Sequence, residues 1–460
     1  MGETRLPWKR RLKTIPPVRL IVFSFFVVIL IGAVLLTLPA ASRSGRPTGF
    51  VDALFTATSA TCVTGLVAFD TWTHWNVFGQ IVSLFLIQIG GLGVVTFTTG
   101  FTLLVRRRLG LRDIQLAMEN TGGETIHIIH LVKVILFFTA STELLGALIL
   151  MLRFVPQFGL QGVWISVFTG ISAFCNAGFD ILGFVMNNGS LVPYAGDPLV
   201  CLTVAALIVV GGLGFIVISD IYYSRIRTRM QKDKPVHLNF HSTIVLIMTA
   251  VLIAGGTILF FACEYDNTLR GMNFGTKLNA SLFQSVSART AGFATVDIGR
   301  EHDFTKIITV ILMFIGASPA GTGGGIKTTT FVVLAVTVLS TMKGNDQSTI
   351  FKRRIDYTTV YRAVSIFFGA LFLVLLTTGV ILSADPHVSG IDALFEATSA
   401  FGTVGLTANV TQTLGSVSKL MIVCTMFAGR VGPVSLGLAL SIRGKNHRCA
   451  VLPEGRVVVG

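Results

Sequence analysis

Charge is scarce in this sequence of 460 residues: Asp, Glu, Lys and Arg together make up 13%, where a soluble domain carries about 25%. That shortage excludes a solvated catalytic or binding domain as the body of the chain. Cysteine is sparse too. The six cysteines, at positions 62, 175, 201, 263, 424 and 449, have no CxxC spacing, which predicts neither a disulfide framework nor a zinc site. No nucleophile with its base and no metal-ligand set converges in any motif, so an enzyme is not expected. A Walker A phosphate loop is excluded where it is suggested, because Ile326 separates Gly325 from Lys327 and the flanks read as membrane helix.

Apolar residues are abundant: 52% of the chain is hydrophobic and its mean hydropathy is +0.75. Stretches such as 20–39, 199–219 and 242–262 have the roughly 20 residues needed to cross a bilayer. The expected class is an all-α polytopic membrane protein. The net charge of +14 does not point to nucleic acid, because 24 of the 36 basic residues fall in five short segments. These hold Arg5, Lys9, Arg10, Arg11, Lys13 and Arg19; Arg106, Arg107, Arg108 and Arg112; Arg225, Arg227, Arg229, Lys232 and Lys234; Lys343, Lys352, Arg353, Arg354 and Arg362; and Arg443, Lys445, Arg448 and Arg456. The positive-inside rule places all five in the cytoplasm. Both termini are then cytoplasmic and the number of full spans is even. A secretory signal peptide over residues 1–40 is the alternative to a first span, but the apolar run is too long and no A-x-A site follows.

The most informative feature is self-similarity. Segments starting at Asp52, Trp164, Asn279 and Asp392 each carry Phe-x3-Ser-Ala and, a short step on, a glycine followed by Leu or Phe. Those glycines, Gly65, Gly178, Gly292 and Gly405, are 113, 114 and 113 residues apart. Each repeat runs apolar stretch, short segment ending at the glycine, second apolar stretch. The short segment cannot cross about 30 Å at 1.5 Å per residue, so it enters and leaves on one side. The expected architecture is four tandem helix–pore-loop–helix repeats, with eight transmembrane helices and four re-entrant pore helices around one pseudo-fourfold pore. The limits read from the sequence are 1–19 for a cytoplasmic N-terminal segment, 20–112, 113–234, 235–357 and 358–443 for the repeats, and 444–460 for a cytoplasmic tail.

Irregular backbone at membrane depth must be buried in protein or line a cavity, so the four loops are expected to meet at one axis. No ring of carboxylates precedes the glycines. The residues there are Cys62-Val63-Thr64, Cys175-Asn176-Ala177, Arg289-Thr290-Ala291 and Gly402-Thr403-Val404. Main-chain carbonyls are the natural ligands, which suits a weakly hydrated monovalent cation better than calcium or magnesium. Pore-helix C-termini aimed at the axis add negative potential. Arg289 reads as a structural brace.

Small-residue marks recur in the second spans: Gly90-Gly91-Leu92-Gly93, Gly211-Gly212-Leu213-Gly214, Gly316-Ala317-Ser318 and Gly429-Arg430-Val431-Gly432. Close helix packing accounts for the first two. The third opens the run Gly316, Ala317, Ser318, Pro319, Ala320, Gly321, Thr322, Gly323, Gly324, Gly325 within an apolar stretch of 37 residues, 305–341. Five glycines and a proline will not continue a helix, and two half-helices joined by an intramembrane loop are expected. Arg430, at the same level of the last span, is expected to act as a fixed positive barrier or to donate to loop carbonyls. Pairing with Glu143 or Asp220 is the alternative.

At these motifs the sequence resembles the KtrB-type subunits of the Ktr/Trk/HKT potassium transporter superfamily, over roughly residues 16–460 and including the ending Pro-Glu-Gly-Arg-Val-Val-Val-Gly. The resemblance implies a selectivity filter at Val63, Thr64, Gly65, Asn176, Ala177, Gly178, Thr290, Ala291, Gly292, Thr403, Val404 and Gly405, with potassium at their main-chain carbonyls. It implies a gate at Gly316–Gly325 with Arg430 facing it. It further implies a homodimer with one pore per subunit in the bacterial plasma membrane, a cytoplasmic KtrA-type regulatory nucleotide-binding ring, sodium as an activator and no covalently bound cofactor. Plant relatives with serine at the first filter glycine tend toward sodium, and Gly65 argues for potassium. Two other readings stay open: a sodium-permeable transporter of the same architecture, and an ion-coupled small-solute transporter. The four parallel repeats and the near absence of acidic residues inside spans disfavour the latter.

Overall fold

The computed structural model describes residues 17–93, 128–230, 238–345, 347–432 and 437. The basic residues of 5–13, 106–112, 232–234 and 443–456, together with Cys449 and the C-terminal ending, lie outside the described residues.

Four repeats follow one another with the same internal order. Repeat 1 is α1 (Pro17–Thr37), the pore helix α2 (Phe50–Cys62), a short α3 (Thr71–His74) and α4 (Val77–Leu92). Repeat 2 is α5 (Ile128–Phe158), pore helix α6 (Leu160–Phe174), α7 (Pro198–Leu213) and α8 (Phe215–Met230). Repeat 3 is α9 (Phe240–Glu264), pore helix α10 (Phe274–Ser287), α11 (Asp303–Phe314) and α12 (Thr328–Met342). A two-stranded hairpin, β1 (Thr349–Ile350) with β2 (Arg353–Arg354), leads to repeat 4: α13 (Tyr357–Ala384), pore helix α14 (Gly390–Gly402) and α15 (Ser416–Val431).

The first helix of each repeat is long and apolar enough to span a bilayer. Their outward faces carry large apolar side chains such as Phe23, Leu152, Ile258 and Phe372, all exposed by more than 60%, which water does not tolerate but lipid does. The chain is a multi-pass membrane protein. The pore helices, of 13 to 15 residues, reach only about 20 Å and are re-entrant. The repeated phenylalanine of the sequence motif anchors each one: Phe55, Phe168, Phe283 and Phe395 are buried to within 1%.

The second spans depart from expectation. Breakage was expected in repeat 3, where the helix does stop at Phe314 and resume at Thr328. Helices α4, α7 and α15 also stop, at Gly93, Gly214 and Gly432, whose φ values of +79°, +90° and +90° turn the chain out of the helix. Residues 199–219, read as one span, are two helices bent by 90° at Gly214. The glycine marks of repeats 1 and 2 therefore do more than pack helices.

Second spans also tie each repeat to the next. Gln80 of α4 accepts from the Trp164 indole of α6 at 2.8 Å. Asn279 of α10 donates to Ala195 O, just before α7, at 3.0 Å. Lys306 of α11 pairs with Asp392 of α14 at 2.8 Å, and Lys419 of α15 with Asp52 of α2 at 2.7 Å. The order is 1 to 2, 2 to 3, 3 to 4, and 4 back to 1. Asp52 and Asp392 sit in the first turns of their pore helices, where the helix dipole also favours a carboxylate.

The closing pair is largely shielded from water, with side chains 11% and 25% exposed. Lys419→Met should lower stability by about 1–3 kcal/mol, read as thermal unfolding in detergent. Adding Asp52→Asn should recover part of that loss, and a double variant as unstable as the sum of the singles would show that the two residues do not interact.

Candidate ion pathway

The four loops share one backbone device. Two residues before each glycine stands a left-handed residue: Val63 (φ +57°), Asn176 (+59°), Thr290 (+74°) and Thr403 (+49°). The glycines themselves have φ of +96°, +69°, +82° and +94° in order. A left-handed residue on either side of an ordinary one turns successive carbonyls the same way.

The repeated Ser-Ala explains what holds this conformation. Ser59 O accepts from Thr64 N at 2.8 Å, and its hydroxyl accepts from Gly65 N at 3.1 Å. Ser399 does the same for Val404 N (2.9 Å) and Gly405 N (3.0 Å), and Ser172 O takes Ala177 N at 2.7 Å. In repeats 1 and 4 both loop amides, and in repeat 2 the Ala177 amide, are thus taken up by the pore helix, and the loop carbonyls are left for the axis. Repeat 3 differs. Ser287 stands five residues before its glycine rather than six; its carbonyl takes Ala291 N at 3.0 Å while its hydroxyl donates to Phe293 O.

The glycines meet in a closed ring. A Cβ on Gly65 would lie 2.6 Å from Ala177 O, on Gly178 2.7 Å from Ala291 O, on Gly292 2.5 Å from Val404 O, and on Gly405 2.2 Å from Thr64 O. Each glycine therefore faces the carbonyl before the next repeat's glycine, and the fourth faces the first. On one side the ring opens to a cavity of about 340 Å³ that also touches Asp70, Asp180 and Asp297. Asp70 caps α3 through Trp72 N and Thr73 N. Asp297 is held by Asn409 at 2.8 Å and Arg300 at 3.1 Å. Asp180 accepts from Leu182 N at 3.0 Å, and among the described residues no lysine or arginine lines this mouth.

On the other side residues 315–327 lie directly beneath the ring. A Cβ on Gly323 would meet the Thr290 hydroxyl at 2.0 Å, and one on Gly324 the Thr403 hydroxyl at 2.3 Å. With its nitrogen turned to Ala173 O (3.2 Å) and Ile208 O (3.1 Å), the Asn176 amide accepts from Thr290 at 3.3 Å. The broken spans hold the loop in place. Ending α7 at Gly214 frees Gly212 O and Gly211 O, which accept Ser318 N (3.1 Å) and Thr322 N (3.2 Å), and Ala320 O takes Phe215 N at 3.0 Å. Arg430 donates to Thr322 O and to Gly90 O, a carbonyl near the end of α4. It pairs with neither Glu143, which Gln88 holds at 3.1 and 3.3 Å, nor Asp220, which holds Asn239. Lys327 reaches Gly323 O at 2.7 Å and shares with Arg430 a chamber of about 170 Å³ below the loop. Arg289 is buried beside Thr249, Ile253 and Ala317, in a small cavity that none of the ring glycines lines.

Sequence reasoning passed over Lys306, Lys419 and Asp180. The lysines carry a detectable signal, since each stands fourteen residues after its repeat's glycine. Asp180 stands two after Gly178, where the other repeats have Val67, Ala294 and Thr407. The pairing of Gln88 with Glu143 has no such signal.

Four membrane helix–pore-loop–helix units closing a backbone ring over a broken helix define a pore-loop protein of the ion-transport class. The chain belongs to the TrkH family of cation transport proteins, which it matches over residues 6–448. It is 39% identical to the Ktr system potassium uptake protein B of Bacillus subtilis, over 96% of this chain and 97% of that one. It is 38% identical to the potassium/sodium uptake protein NtpJ of Enterococcus hirae, over 98% and 99%. The crystal structure of the potassium transporter TrkH from Vibrio parahaemolyticus shares the fold at a TM-score of 0.69 and 17% identity, covering 91% of this chain and 84% of that one.

A Cβ at Gly211 would stand 2.0 Å from Phe174 O, a backbone atom, whereas at Gly212 the nearest atom is the Asn176 side-chain amide at 3.3 Å. Gly211→Ala should abolish most assembled protein and Gly212→Ala should leave it, as read by size-exclusion yield. Equal yields would contradict this packing of α7 on the second loop.

Proposed function

We propose that this protein takes up potassium across the bacterial plasma membrane through the carbonyl ring at Val63–Gly65, Asn176–Gly178, Thr290–Gly292 and Thr403–Gly405. The observation that carries the reading is the closed order in which each ring glycine faces the carbonyl before the next. Neutral carbonyls in a rigid ring replace the hydration shell of a large monovalent ion and lack the charge that a divalent ion demands. The names of the relatives from Bacillus and Enterococcus support potassium as substrate, and the latter keeps a sodium-permeable transporter of the same architecture as second reading.

In this proposal the mouth faces outward, both termini are cytoplasmic, and the repeat limits are those read from the sequence. Residues Gly316–Gly325 and Arg430 form the gate. The guanidinium of Arg430, with Lys327 beside it, lines the chamber below the loop and opposes cation passage while the loop is in place. The active unit is a homodimer on a cytoplasmic KtrA-type ring, and sodium stimulates it from outside.

Rubidium uptake into liposomes holding the purified chain, with and without the regulatory ring, tests the filter. Potassium should block uptake and sodium should not. Gly405→Ser places an atom against Thr64 O and should lower the preference for potassium over sodium by at least about tenfold. Equal block by the two ions in the native protein would bring the sodium-permeable reading forward, and an unchanged preference in the variant would remove Gly405 from the filter.

Deleting residues 317–324 tests the gate separately. Basal flux should rise severalfold in the absence of the ring protein, with selectivity retained. A deletion variant that assembles but conducts no faster would rule out gating by this loop.

A further inference from the structure

Several carboxylates gather where α9 ends and α11 begins, on the mouth side of repeat 3, and most are fully engaged. Asp392 has Lys306 at 2.8 Å. Asp297 has Gly299 N, Asn409 and Arg300. Glu264, the last residue of α9 and wholly buried, accepts five hydrogen bonds. One oxygen takes His302 N (2.9 Å) and the Thr305 hydroxyl (2.5 Å). The other takes Asn267 Nδ2 (2.7 Å), Thr268 N (3.3 Å) and the Thr268 hydroxyl (2.9 Å). Asn267 also donates to Arg300 O at 2.9 Å. A carboxylate offers about four lone-pair positions, so Glu264 has no capacity left.

Glu301 lies in this knot, between the Arg300 carbonyl and the His302 amide that Asn267 and Glu264 hold. It is 5% exposed, and neither of its oxygens, both shut off from solvent, has a hydrogen-bond donor. Burial, and next the charge on Glu264, push its carboxyl well above the usual carboxylate range, with Asp297 adding to this and Lys306 opposing it. Lys306 is itself committed to Asp392. A carboxylate buried without a donor keeps its proton at low pH; once ionised it is among the most costly groups a protein can hold, and then it calls for a positive partner.

We propose that Glu301 is the anionic ligand of a monovalent-cation site on the mouth side of repeat 3, distinct from the ion pathway, with sodium as its preferred occupant. One uncommitted carboxylate balances one positive charge, whereas calcium or magnesium draws on several oxygens and usually more than one carboxylate. A single anionic oxygen also has a stronger field than a neutral carbonyl and draws the smaller ion closer. That preference is opposite to the one proposed for the ring. An ion bound here ties the end of α9 to the start of α11, the half-helix that leads into the loop at 315–327. The inference goes beyond the filter reading and does not rest on it.

Thermal unfolding of the purified full chain in detergent tests it, at mildly alkaline pH and fixed ionic strength, in sodium, potassium or choline chloride. The native protein should unfold about 2–4 °C higher in sodium than in choline, with a smaller rise in potassium. Glu301→Gln should lose the sodium-specific rise and, in choline, unfold no earlier than the native protein, because the unpaired charge is gone. Ions held in the pathway act on both proteins and cancel in the difference, so a failed filter leaves this test intact. A native protein with no sodium rise over choline, or a Glu301→Gln variant that keeps it, overturns the proposal. Should Glu301→Gln not assemble, Glu301→Asp, whose carboxylate is drawn back, should raise the sodium midpoint at least about fivefold, and an unchanged midpoint would likewise overturn it.

Discussion

The constraint on which the rest of the molecule depends is a contact too close for any side chain. At each of four corners a glycine stands where a Cβ would fall 2.2–2.7 Å from the next repeat's carbonyl oxygen. To place those glycines the chain keeps a nearly constant period, sets a left-handed residue two positions earlier, and ends each pore helix where the carbonyl of its serine can take a loop amide. The phenylalanine that buries each pore helix fixes its depth, and the inter-repeat bonds fix its angle.

The second spans serve the same arrangement from below. An unbroken helix would consume its own carbonyls in i to i−4 bonds. Stopping α7 at Gly214 releases Gly211 O and Gly212 O into the interior, where bare carbonyls are costly unless paired. The loop amides of Thr322 and Ser318 pair them, while Gly90 O, which takes Gly93 N at the end of α4, also accepts from the Arg430 guanidinium. The loop is ordered, although it is rich in glycine, because its amides and the α7 carbonyls satisfy each other, and the buried arginine is tolerated because backbone carbonyls receive its donors.

Much of this was legible in the sequence because it is periodic. The glycines at 65, 178, 292 and 405 announce four equivalent loops, and the glycine run at 316–325 announces a broken helix through composition alone. The helix ends at Gly93, Gly214 and Gly432 were not legible: a single glycine after an apolar run is equally compatible with close packing, and the deciding facts are the positive φ of each and, at Gly214, the Pro319 carbonyl that approaches from repeat 3. Residues that act through distant partners were hidden for the same reason. Glu264 reads as a lone acid at a helix end, and its five donors come from Asn267, Thr268, His302 and Thr305, which no local pattern connects. Arg430 was recognisable as an anomaly, but its partners follow from the two broken helices around it.

The ring also has a seam. Three of its four junctions join repeats that are consecutive along the chain, while the junction of the fourth with the first joins repeats that are not. That corner is closed by contact, including Lys419 with Asp52 and Gly405 against Thr64 O, the tightest approach of the four. The molecule is in effect a covalent tetramer cut open at one link, and its sequence order is a cyclic order with an arbitrary starting point.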